Sequence, residues 1–139
     1  MTAALLVVWL TILSGYDIRW RRLPNWLTLP PAPVVLAMAA LAGRGPGAFA
    51  GAAALTGIYL VVHLIAPAGL GAGDVKLAIA LGALTGSFGA DVWLLAAVAA
   101  PLLTGIWGLC ALRTGRGTTV PHGPSMCLTS AVAAGLAMC

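Results

Sequence analysis

Residues 48–66 read AFAGAAALTGIYLVVHLIA, nineteen positions without one Asp, Glu, Lys or Arg, bounded by Arg44 before and Pro67 after. A helix needs about 20 apolar residues, within a range of roughly 17–25, to cross a bilayer. Water is absent there, so the backbone must satisfy its own polar groups, and an open sheet cannot. The rest of the chain has the same character. Of 139 residues 61% are hydrophobic and 7% charged, against about 25% charged in an ordinary soluble domain. A soluble fold and a disordered chain, which needs low hydrophobicity and high charge, are both excluded. The 18 glycines follow no triplet period and the three cysteines build no disulfide framework. The expectation is an all-α, polytopic membrane protein.

Working outward from 48–66, five further apolar stretches meet the length of a span or approach it: about 1–18, 25–42, 75–87, 92–112 and 124–139. The stretch at 25–42 begins irregularly, with Pro30, Pro31 and Pro33 in its first turns; that at 92–112 contains Pro101, an expected kink. The first lacks leading cations and no small-residue cleavage site follows it, so it is expected to be a retained anchor that starts outside. Six transmembrane helices in a single membrane-embedded domain, residues 1–139, are predicted. The cations agree with that count. Arg19, Arg21, Arg22, Lys76, Arg113 and Arg116 fall in alternate loops on one side, and Arg44 alone on the other. The positive-inside rule makes the six-cation side cytoplasmic. Scattered in this way the cations form no nucleic-acid-binding face, and no such partner is expected. Gly47 and Gly51, and Gly82 and Gly86, have the spacing of close helix contacts, but a glycine-rich chain produces such pairs by chance.

Three acids remain. Asp91 reads as a solvated loop charge. Asp17 ends the first apolar stretch and Asp74 opens the fourth, both at the cation-rich side. A carboxylate at the bilayer centre costs about 2.5–3.5 kcal/mol on insertion scales, and less towards an interface. Two such residues at one depth invite a chemical reading, against two plainer ones: Asp17 paired with Arg19, Arg21 or Arg22, and Asp74 as a helix N-cap. Gly69-Leu70-Gly71-Ala72-Gly73 leads into Asp74, and glycine permits positive φ and close backbone approach. Two adjacent carboxyls share a proton, so one can activate water while the other protonates a carbonyl oxygen, as in aspartic proteases.

Gly71-Ala72-Gly73-Asp74-Val75-Lys76 resembles the GxGDxK signature of type IV prepilin peptidases. Asp17 with the segment through Leu23-Pro24-Asn25-Trp26 is similar to that family's first catalytic segment. Pro121-His122-Gly123-Pro124 resembles its Pro-Phe-Gly-Pro element, with His122 where Phe is usual. The resemblance implies a membrane aspartic endopeptidase that removes the short basic leader of type IV pilin-like precursors at the cytoplasmic face of the cell membrane. It implies Asp17 and Asp74 as catalytic, and Gly71, Gly73, Lys76, Pro24, Asn25, Gly123 and Pro124 as substrate-binding or site-shaping. No metal and no organic cofactor are implied. Long members carry an N-terminal cysteine cluster linked to N-methylation; this chain resembles the short, peptidase-only form, and methyltransferase activity is not expected. Tyr16-Asp17 also resembles the first motif of presenilin-like proteases, but Lys76 and the missing Pro-Ala-Leu element set the chain apart.

Two other classes are weighed beside this one: a small proton-coupled transporter, since intramembrane acids also line ion paths, and a noncatalytic pilus-assembly subunit. His63 is expected to be a packed or interfacial side chain and His122 a solvated loop histidine. Asp74, at a helix N-terminus and near Lys76, is expected to be the ionised partner, and Asp17 the protonated one.

Overall fold

The computed structural model describes residues 3–116 and 120–139. The first two positions of the first expected span, and 117–119 of the loop before the last, lie outside the described residues. Among the described residues there are seven helices and no strand: α1 (Ala3–Trp20), α2 (Asn25–Thr28), α3 (Pro31–Leu41), α4 (Gly45–Ile65), α5 (Ala72–Gly86), α6 (Ala90–Arg113) and α7 (Gly123–Met138). The protein is an all-helical, polytopic membrane protein. The single stretch expected at 25–42 is broken into α2 and α3, because Pro31 and Pro33 lack the N–H groups that would carry the α2 ladder onward. Pro101 lies within α6 without ending it.

Three of the described helices are long and apolar enough to cross a bilayer, α1, α4 and α6; residues 25–41 and α7 are shorter apolar segments. The outer surface suits lipid. Leu5, Val7 and Val8 on α1, Ile58 and Leu64 on α4, and Leu94, Leu102 and Ile106 on α6 are all more than two-fifths exposed.

α5 has 15 residues, about 22 Å at 1.5 Å per residue, shorter than a hydrocarbon core. Its surroundings explain how it fits. It packs against α2, α3, α4, α6 and α7, and Leu77, Ala78, Ala80, Leu81 and Ala83 are fully buried. A helix apolar all round belongs inside a bundle. Its most extensive partner is α4, and glycine makes that contact. A Cβ on Gly82 would stand 2.5 Å from the Gly51 carbonyl oxygen, and one on Gly86 2.5 Å from that of Gly47. The two glycine pairs read as chance in the sequence therefore face each other as one tight seam. Trp93 Nε1 donates to the Gly51 carbonyl at 3.0 Å, tying α6 to the same seam. Trp93 is thus a clasp between α4 and α6.

At the Gly47–Gly86 end of the seam the Arg44 guanidinium lies over the Phe88 ring, 5.4 Å from its centre. The C-terminus of α1 and the N-termini of α5 and α7 meet at the opposite end, where the acids are.

Candidate active site

Asp17 lies in the last turn of α1 and is 7% exposed. The chain reverses directly after it. Arg21 N–H donates to the Asp17 carbonyl at 2.9 Å, and Arg21 takes a φ of 50°, rare for a residue with a side chain. Pro24, in an extended conformation, is the N-cap of α2, and its carbonyl accepts from the N–H groups of Leu27 and Thr28. The returning segment is then bound to the helix of the second acid. Lys76 Nζ donates to Asn25 Oδ1 at 2.6 Å, and a Cβ on Gly73 would stand 3.0 Å from Leu23 Cβ. Gly73 is a close-approach glycine. Gly71 has φ −73° and ψ 153°, so positive φ is not what this glycine loop requires. His63 Nδ1 lies 2.6 Å from the Leu70 carbonyl and pins the loop to α4.

Asp74 is the third residue of α5 and 8% exposed. The N-cap is Gly71, which corrects the capping role considered for Asp74; the Gly71 amide bonds back to the Asp74 carboxyl. The charge of Asp17 acts on Asp74, and the fields of both acids reach the buried thiol of Cys127 on α7.

α7 completes the site. Its first residue, Gly123, donates its N–H to Asp17 Oδ2 at 2.9 Å, filling one of the donors that every helix start leaves open. A Cβ on Gly123 would lie 2.5 Å from the same oxygen, so only glycine fits there. Pro124 follows in the first turn, where a missing N–H costs nothing. Both acids thus accept a backbone amide, Asp17 from Gly123 and Asp74 from Gly71. The short amide contact from α7 is made to Asp17, and the Lys76 ammonium is held by Asn25. Arg21 is the cation whose field reaches Asp17.

His122 is not the solvated histidine expected. Its Nε2 lies 2.7 Å from the Tyr59 hydroxyl on α4 and its Nδ1 2.6 Å from the Thr104 hydroxyl on α6. Burial pulls its pKa down from 6.5 to about 4. Tyr59, 7% exposed, and Thr104 had no sequence signal, because a single hydroxyl on an apolar helix reads as ordinary. With Leu70 and Pro101 they line a cavity of about 410 Å³ between α4 and α6. Asp91 is exposed, in the first turn of α6 rather than in a loop. Among the described residues no three His, Cys, Asp or Glu side chains gather in a way that would hold a metal ion.

Comparison with known proteins follows the same residues. The profile of the Type IV leader peptidase family matches residues 4–109, which include both acids and the glycine loop. The chain belongs to this family. That profile match stops short of Gly123 and Pro124 at the start of α7. The chain is also similar to the prepilin leader peptidase/N-methyltransferase of Xanthomonas campestris pv. campestris, 34% identical over 134 residues. That alignment covers 91% of this chain and 46% of the relative, so the chain spans about half the length of the curated protein it matches. No solved structure matches it.

Proposed function

We propose that the protein is an aspartic endopeptidase that removes the leader of type IV prepilin-like precursors, with Asp17 and Asp74 as its catalytic pair. The observation that carries the reading is the pair of buried carboxyls, one from the end of α1 and one from the start of α5, near enough for the charge of Asp17 to act on Asp74. The family and the relative's name support the substrate class. In the chemistry, the ionised carboxyl takes a proton from a water molecule as that water attacks the scissile carbonyl. The protonated carboxyl donates to the carbonyl oxygen, giving a neutral tetrahedral intermediate. Collapse breaks the C–N bond, with a proton passing to the leaving amine. Lys76 and Asn25 lock the α1–α2 turn onto α5, so the pair keeps its spacing during this exchange. Gly123 lets the start of α7 approach the Asp17 carboxyl, the Gly71 amide bonds to that of Asp74, Gly73 makes room for the Leu23 side chain, and Pro24 and Pro124 fix the two helix starts beside them.

The reading places the reaction at the cytoplasmic face of the cell membrane, because the acids share the end that carries six of the seven cations. It treats the chain as one membrane-embedded peptidase unit. Co-expression with a prepilin-like precursor tests it. The precursor is expected to run as a shorter band, with a new N-terminus at the start of its hydrophobic segment by mass spectrometry. Uncleaved precursor at matched expression, across several such substrates, contradicts the proposal.

A further inference from the structure

The His122 side chain links three helices at one point. Thr104 Oγ1 lies 3.1 Å from the Ala100 carbonyl and donates to it. That hydroxyl has one proton, so towards His122 it accepts, and Nδ1 carries the hydrogen. Nε2 is then the bare nitrogen and accepts from the Tyr59 hydroxyl at 2.7 Å. One neutral tautomer satisfies the whole chain from Tyr59 through His122 and Thr104 to Ala100. His122 is also the N-cap of α7, and its carbonyl accepts from Met126 N–H at 3.1 Å. The next residue, Gly123, holds Asp17 Oδ2. The ring is thus fixed from α4 and α6 one residue away from the amide that reaches α1.

We propose that His122 is a positioning residue: by bridging Tyr59 and Thr104 it sets the start of α7 so that the Gly123 amide holds the Asp17 carboxyl in its working orientation. A phenylalanine here would occupy similar space yet leave the buried Tyr59 hydroxyl without its acceptor, and an unsatisfied buried hydroxyl is costly. The bridge therefore belongs to the combination of His122, Tyr59 and Thr104 in this chain. Its effect on turnover rests on the peptidase reading above; its effect on geometry does not.

The test uses both readouts. His122–Gly123 is the one His-Gly pair in the sequence. Protein labelled with ¹³C-carbonyl histidine and ¹⁵N-glycine therefore reports the Gly123 amide as a single resonance. Tyr59→Phe, Thr104→Val and the double variant are expected to move that amide proton upfield, as its hydrogen bond to Asp17 lengthens. Precursor turnover should fall roughly tenfold or more in kcat for the double variant, with KM within about twofold, because orientation and not substrate affinity is lost. His122→Gln, whose amide can accept from Tyr59 and donate to Thr104, should restore the amide shift and most of the turnover; glutamine occurs nowhere else in the chain, so its label is equally specific. If the double variant does not fold, the two single hydroxyl deletions carry the same readouts. An unmoved Gly123 resonance in folded variants overturns the proposal. If the unsubstituted protein cleaves no precursor, the peptidase reading fails alone and the amide shift still decides the positioning role.

Discussion

At the residue scale the site depends on small separations that the sequence does not display. Gly123 is the clearest case, since its hypothetical Cβ would fall 2.5 Å from Asp17 Oδ2. Gly123→Ala should lower precursor cleavage by about 10²-fold, the scale of a misplaced catalytic group. Gly135→Ala, in open space on the same helix, should leave cleavage unchanged; equal rates for the two variants contradict the close contact. His122 yields a prediction in pH. The ring faces Tyr59 from α4 and Thr104 from α6, both uncharged, and Asp17 is reached only through the Gly123 amide. Its folded pKa of about 4 lies below the ordinary 6.5, so below the ordinary value the unfolded chain binds a proton that the native ring refuses. This contribution to stability is therefore level above about pH 6.5, declines as pH falls, and levels off near pH 4. Thermal midpoints of the protein and of His122→Phe, compared from pH 7 to 4, should show the protein's advantage shrinking through that window; a constant gap contradicts it.

At the element scale much was legible and the exceptions have physical causes. The apolar stretches at 48–66, 92–112 and 124–139 became α4, α6 and α7 with ends shifted by one to three residues, because hydropathy marks what lipid tolerates. The Asp17 and Asp74 segments were legible because acids are rare in such a chain. The break between α2 and α3 was visible only as an irregular start, since the prolines mark the disturbance and not how the chain resolves it. The glycine seam was missed because spacing on one helix cannot say which helix lies opposite. Tyr59 and Thr104 were missed for the same reason: their partner, His122, is distant in sequence. The seam makes a graded prediction. Gly51→Ala or Gly82→Ala should destabilise the protein by about 1–3 kcal/mol, the usual cost of overpacking. Gly57→Ala, on the same α4 with open space around it, should be neutral. Midpoints of detergent-solubilised protein under denaturant decide between this and equal effects at both positions.

At the scale of the whole molecule, a central helix too short to cross a bilayer unaided is packed between the longer α4, α6 and α7 and the shorter α2 and α3, and its N-terminus meets the end of α1 at the cation-rich face. Reporters fused after Arg22, Pro67 or Arg116 should read cytoplasmic, and those after Arg44 or Asp91 should read outside. A cytoplasmic signal at Arg44 would separate the two acids by the width of the membrane and contradict the fold. The central claim is that the bundle joins Asp17 and Asp74 into one catalytic pair. The most direct measurement is precursor cleavage by purified Asp17→Asn, Asp74→Asn and Asp91→Asn variants at matched amounts and matched helix content. An amide can neither take the proton from water nor supply one to the carbonyl oxygen as a carboxylic acid does. Both site variants should therefore lose cleavage to background while Asp91→Asn keeps the rate of the unsubstituted protein; substantial turnover by either site variant contradicts the account.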